Sequence, residues 1–277
     1  MMKRLKEFFR GKCKNQAGIL GLFFGLAVLA VLLPGIFSAQ RRGTLDNGSY
    51  EPTMLCAGLT YLESDLAEPD TLYFDHVIEE YGYGSFSYWK LLGPNGQSSM
   101  IYPIALIRLL TEPFGLHFST VYLALVYALL YAAGTYVLVR GCAYLAGWLA
   151  AIPGSILVLA ASSRNLAAYF NSLYPTAAVI VGLLLMIAMA LRLFTYGKQT
   201  GLGGMLGFLA AAAFCLNASE LCLIFAPFAV AVVAAALLRE LKDHRLKPGA
   251  AACAVVLLLA AISSSYAVLN AAPICLP

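Results

Sequence analysis

The stretch AGILGLFFGLAVLAVLLPGIFSA, residues 17–39, carries no charged side chain over 23 residues. A helix crossing the roughly 30 Å hydrocarbon core of a bilayer needs about 20 such residues, because each adds 1.5 Å. Six further apolar runs follow, at 118–139, 142–161, 175–192, 202–217, 221–238 and 250–269. Apolar types make up 61% of the 277 residues and charged types only 12%. A soluble domain carries about twice that share of charge. The fold class expected is therefore an all-α polytopic membrane protein with about seven transmembrane helices. The N-terminal MMKRLKEFFRGKCKNQ plus apolar run is arranged like a signal peptide, but a signal's apolar core is usually about 7–15 residues. An uncleaved first helix is the reading adopted.

Charge sets the orientation. With the N-terminus in the cytoplasm, the inner pieces are 1–16, 140–141, 193–201 with Arg192 at its edge, and 239–249. They hold thirteen of the 18 Lys and Arg residues. Only Arg41, Arg42, Lys90, Arg108 and Arg164 remain outside. That split follows the positive-inside rule. It gives a plasma-membrane, multi-pass protein with a short basic cytoplasmic tail (1–16) and a membrane domain (17–277). Residues 40–117 form an outer loop within that domain. The basic residues make no single soluble face, which excludes a nucleic-acid partner.

The outer loop is unusual. Residues 40–100 hold nine acids against three bases, together with many Tyr and Phe. Connections between helices are commonly 2–8 residues, and an aromatic-rich loop is not a disordered one. EPTMLCAGLTYLES (51–64) is expected to form a short helix with Met54, Leu55, Leu59 and Leu62 on one side. SSMIYPIALIRLLTEPFGL (98–116) has too few apolar residues to span, and it suits a helix lying in the membrane interface. The seven cysteines form no CxxC pair and no Cys/His cluster, so neither a zinc site nor a disulfide framework is expected. Cys56 and Cys275 fall on the outer side, where a pairing between them is open.

Two stretches can carry chemistry. RRGTLDNGSYEP (41–52) leaves the first span with two arginines and an aspartate. Asp46 opens Asp-Asn-Gly-Ser, a turn sequence, and can simply cap that turn. It can equally act as a general base at the membrane surface, or hold a divalent cation, magnesium or manganese, against a phosphate. Arg41 and Arg42 can anchor to headgroups or fork onto a lipid phosphate. SSRNLAAYFNSLYP (162–175) interrupts two apolar runs. In it Arg164 can snorkel to headgroups or meet a phosphate, and Tyr169, Phe170, Asn171 and Tyr174 can shape a sugar pocket. Glu51 and Asp75 are secondary candidates.

DNGSYEPTMLCAGLTY resembles the Asn-Gly-Asp region of bacterial hexosyltransferases of the GT-C class, and AAYFNSLYPTAAV resembles their Tyr-Phe-Asn-Ser segment before the fourth span. Those enzymes have an acid two positions after the Asn of Asn-Gly, where this chain has Ser49, and Gly-Glu where it has Pro175-Thr176. They are also longer, so the chain reads as an N-terminal portion or a truncated member. The resemblance implies a membrane glycosyltransferase. It would move a hexose from a polyprenyl-phosphate donor to a cell-surface glycan or lipid-linked acceptor at the outer face. Asp46 would be the base, and Arg41, Arg42 and Arg164 would lie near the donor phosphate. Glu51, Asp75, Tyr169 and Asn171 would line the substrate site. The competing expectations are a non-catalytic subunit of envelope glycan assembly and a transporter or flippase-like protein. The latter needs ionisable groups near the membrane midplane, and the spans contain very few.

Overall fold

A computed structural model describes residues 2–38, 50–62, 78–86, 98–195 and 201–242, with Val255 and Leu257. Helix α1 (Met2–Ile36) is followed by a short helix α2 (Glu51–Ala57) and strands β1 (Leu59–Thr60) and β2 (Glu80–Tyr83). Helix α3 (Ser98–Thr111) runs into a 3₁₀ turn (Glu112–Phe114), then strand β3 (Phe118–Ser119) and the long helix α4 (Thr120–Ala146). Helices α5 (Trp148–Ala161), α6 (Arg164–Phe170), α7 (Thr176–Thr195) and α8 (Gly201–Leu216) come next. A 3₁₀ segment (Glu220–Phe225) then leads into α9 (Ala226–Lys242).

The chain is a multi-pass membrane protein. Gln16–Ile36, Thr120–Ala146, Thr176–Thr195 and Leu221–Arg239 are long and apolar enough to cross a bilayer. Ala151–Ala161 and Gly203–Leu216 are apolar but shorter. The seventh expected run, 250–269, lies outside the described residues except for Val255 and Leu257, which are helical.

The spanning helices pack α1 on α4, α4 on α7 and α7 on α8. Small residues let these backbones approach. A Cβ placed on Gly21 would stand 2.8 Å from the Tyr136 carbonyl oxygen, and one on Gly182 would stand 2.7 Å from the Cys215 Cα. Buried hydroxyls inside the bundle turn back onto their own helices: Thr135 onto the Tyr131 carbonyl, Ser155 onto Ala151, Thr195 onto Leu191.

One helix boundary differs from expectation. The inner turn expected at 140–141 is absent, and α4 runs through it to Ala146. Gly141 stays helical, buried against Leu191 of α7, whereas Gly147 takes φ +87° and ends the helix. Arg140 stays on α4 and donates to the Tyr136 hydroxyl at 2.8 Å.

The segment between the first two expected spans also departs from the all-helical expectation. β1, β2 and β3 form a small antiparallel sheet with Leu59 opposite Tyr83 and Tyr81 opposite Phe118. The helix expected over 51–64 stops at Ala57, because Gly58 adopts φ +65° and its N–H closes onto the Met54 carbonyl. Leu59 is buried from a strand and Leu55 is exposed, so the apolar face predicted across that segment does not form. Within the stretch 98–116 a helix forms at Ser98–Thr111, with Ile101, Ile104 and Ile107 buried and Tyr102, Leu106, Leu109 and Leu110 exposed. One core joins this layer to the bundle, containing Leu32 and Ile36 of α1, Tyr50, Met54, Tyr81, Ile104, Phe118, Tyr127 and Phe170. The end of the bundle under this layer is called the sheet end below.

Candidate functional site

Helix α1 ends at Ile36 beneath the sheet layer, and the last carbonyls of a helix have no partner within it. The Asn171 side chain supplies one: its Nδ2 donates to the Ile36 carbonyl at 3.1 Å. Asn171 sits just past the end of α6, a helix started by Ser163, whose hydroxyl accepts from the Leu166 N–H. Its side chain is 1% exposed, and among the described residues its Oδ1 has no donor. Three residues on, the Tyr174 ring meets Tyr50 edge-to-face with centroids 4.8 Å apart. The Ser172 hydroxyl holds the intervening turn, donating to the Tyr169 carbonyl at 2.7 Å and accepting from the Tyr174 N–H.

Ile36 and Tyr50 are the two flanks of the stretch that contains Arg41, Arg42 and Asp46. Both flanks rest on 171–174: Ile36 through Asn171, and Tyr50, a described residue of the first stretch, through Tyr174. Arg41, Arg42, Asp75 and Asp46, the carboxylate expected to hold a cation, lie outside the described residues. Glu51 is exposed in the first turn of α2, where the helix dipole favours an acid. Arg164 is the first residue of α6, and Tyr169 is partly exposed on the same helix. Phe170 is not a pocket wall. It is fully buried against Tyr127 and Tyr131, with centroids 5.8 and 6.0 Å away.

A second cluster was missed in the sequence, where Arg108 read only as an outward cation. Its residue is 6% exposed. Nε and Nη2 fork onto the two Glu112 carboxylate oxygens at 2.7 Å each. Nη2 also donates to the Gly84 carbonyl at 2.7 Å, and Nη1 reaches the Gly58 carbonyl at 3.4 Å. The guanidinium lies 4.9 Å from the Tyr83 ring centre and 5.4 Å from that of Phe86. Arg108 thus bolts α3 to the β1–β2 hairpin. Bonding to the guanidinium holds the Glu112 carboxyl below its ordinary range, and burial raises the Tyr83 phenol. Tyr83 donates in turn to the Thr111 hydroxyl at 2.6 Å, since Thr111 spends its own proton on the Ile107 carbonyl. The signal available in sequence was an arginine in an otherwise apolar helix, with an acid four residues on.

Cys56 is disulfide-bonded, which the spacing of the cysteines did not announce, while Cys142, Cys215 and Cys222 are free.

Residues 3–271 match the model of the family described as the YfdI N-terminal transmembrane domain, and the chain belongs to that family. No curated protein and no solved structure matches the chain.

Proposed function

We propose that this chain is a glycosyltransferase domain of the GT-C type. It transfers a hexose from a polyprenyl-phosphate donor to a cell-surface glycan or lipid-linked acceptor at the outer face of the plasma membrane. In this reading seven helices span the membrane, the N-terminus is cytoplasmic and the sheet end faces outward. The observation that carries it is the seating of both flanks of the Arg41–Asp46 stretch on the Asn171–Tyr174 turn. This seating supports a reading in which two cations and a carboxylate work close to the Asn171–Tyr174 turn and meet a lipid-linked phosphate there. Membership of a transmembrane-domain family covering nearly the whole chain agrees with work on a membrane-borne substrate.

The chemistry follows from the residue types. Asp46 takes the proton of the acceptor hydroxyl, and that oxygen attacks the anomeric carbon from the side opposite the phosphate. The polyprenyl phosphate departs with the bond electrons, and Arg41, Arg42 and Arg164 stabilise its growing charge. Asn171 Oδ1 accepts from a sugar hydroxyl, Tyr169 stacks on the sugar, and Glu51 and Asp75 orient the acceptor. A divalent cation at Asp46 would help to hold the donor phosphate.

The test is hexose transfer from radiolabelled polyprenyl-phosphate hexoses in membranes carrying the chain or its Asp46→Asn variant. Transfer by the first and at least a 100-fold loss in the second, at equal expression, is the expected result. Equal transfer by both removes Asp46 as the base. No transfer by either favours a non-catalytic role in glycan assembly.

A further inference from the structure

Cys56 carries a disulfide whose partner is none of the free cysteines Cys142, Cys215 and Cys222. Three of the seven cysteines remain: Cys13, Cys253 and Cys275. A bridge requires the two Cα atoms to lie within about 7 Å. Cys56 sits in α2, one turn from the Arg108 cluster and buried in the sheet layer.

Cys13 belongs to α1, 23 residues before Ile36. At 1.5 Å per residue that places it about 35 Å from the sheet end. Cys253 follows α9 in the sequence. The 3₁₀ segment before that helix starts at the sheet end, since Cys222 shares the core of Tyr50 and Met54. The helix then runs away for 17 residues, about 25 Å. Near its far end the Arg239 guanidinium reaches the Phe194 carbonyl in the last turn of α7. The chain continues through a charged stretch, DHRLK (243–247), and Cys253 stands near the start of the final apolar run. Cys275 stands six residues beyond the end of that run, which at 250–269 has the length to bring the chain back across a bilayer.

We propose that Cys56 is joined to Cys275, so that the final segment is tied to α2 on the sheet layer. Forming the bridge removes two protons and two electrons from the pair of thiols. The electrons pass to the disulfide of a thiol–disulfide oxidant in the outer compartment, which becomes a dithiol. The bridge therefore identifies the face on which the sheet layer lies as the oxidising one, independently of the count of basic residues. It also fixes a covalent strap beside the flanks of the Arg41–Asp46 stretch, and it requires no transfer activity to exist.

The experiment uses the full chain expressed in cells whose outer compartment holds such an oxidant. Free thiols are blocked with N-ethylmaleimide in denaturant. The chain is then digested with chymotrypsin, which separates Cys253 from Cys275 at Tyr266, and the peptides are weighed before and after reduction. A Cys56–Cys275 linked peptide is expected in the wild type and in Cys253→Ser, vanishing on reduction. In Cys275→Ser, Cys56 should be blocked without prior reduction. A link from Cys56 to Cys13 or Cys253, or a wild-type Cys56 already blocked before reduction, overturns the assignment.

Discussion

Replacing Arg108 by Met separates two accounts of the sheet layer. In one, the Arg108–Glu112 ion pair stabilises it. In the other, the guanidinium's bonds to backbone carbonyls do. The Glu112 side chain is 45% exposed, so its charge is solvated and screened, and such a pair is worth about 0–1 kcal/mol. The Gly84 carbonyl instead receives a charged donor at 2.7 Å from a nearly buried group. Losing it costs about 1.5–3 kcal/mol, because the oxygen is left without its donor. The two ring contacts add about 0.5–1 kcal/mol each, although Met recovers part of the packing. Arg108→Met should therefore cost about 3 kcal/mol locally, roughly a 100-fold rise in opening of the hairpin, since about 1.4 kcal/mol is tenfold. Glu112→Gln should cost no more than about fivefold on the same scale. Hydrogen exchange read by mass spectrometry on peptides covering 58–60 and 80–84, in detergent or nanodiscs, measures this directly. The Gly84 N–H, bonded to the Gly58 carbonyl at 2.8 Å, is a natural reporter. Equal loss of protection in the two variants would refute the reasoning, and so would full protection in Arg108→Met.

Four further outcomes are expected. Gly58→Ala should destabilise the same hairpin by about 2 kcal/mol or more, since φ is +65° and the new Cβ would stand 2.6 Å from the Ser85 carbonyl oxygen; a hairpin with unchanged exchange rejects this. Gly182→Ala should lower thermal stability by about 1–3 kcal/mol through the clash with the Cys215 backbone, while Gly18→Ala, with nothing within 4 Å, should be neutral or stabilising; a melt in detergent that ranks them the other way contradicts the packing. Asn171→Ala removes the donor to the Ile36 carbonyl and should cost about 1–2 kcal/mol, seen as faster exchange at the sheet end of α1. Glu112 is held below its ordinary 4.5 in the folded chain, so its contribution is present above that value and is lost as pH falls through the lowered one; hairpin protection should decline with acid in the wild type and stay flat across that window in Glu112→Gln.

Four of the expected spans were legible because membrane crossing demands a length and composition that few other structures share. The runs expected at 17–39 and 175–192 fall within a few positions of the apolar spans Gln16–Ile36 and Thr176–Thr195. Helix α3 was equally legible, since its apolar residues are too few to span yet fall on two faces. The boundary at 140–141 was not, because a charge-based topology expects an arginine to mark a turn. Arg140 instead lies along its own helix and satisfies itself on Tyr136. The sheet was hidden for a different reason. Strands of two to four residues are below the length at which alternation can be read, and they are held by Gly58, Gly84 and Arg108, which are far apart in sequence. Within the candidate site, Asn171 was legible as a residue type out of place between apolar runs. Its bond to Ile36, 135 positions away, is tertiary information that no local pattern contains.

That long-range bond also bears on how the site can work. A catalytic group on a loop is only as well placed as the elements that fix the loop's ends. The flanks here are Ile36, fully buried in the core, and Tyr50, 2% exposed. Both are seated on a turn whose hydroxyl and amide bonds are internal to 169–174. Substituting Tyr50 by Leu tests this without touching any group proposed to contact substrate. The aromatic pair is worth about 0.5–1.5 kcal/mol beyond its buried area, so the protein should remain folded. If the flanks position Asp46, hexose transfer should fall several-fold in Tyr50→Leu through kcat, with KM for the donor little changed. A loss confined to KM would place Tyr50 in donor binding instead. Unchanged kinetics would mean that the Tyr50–Tyr174 contact serves only the packing of α2.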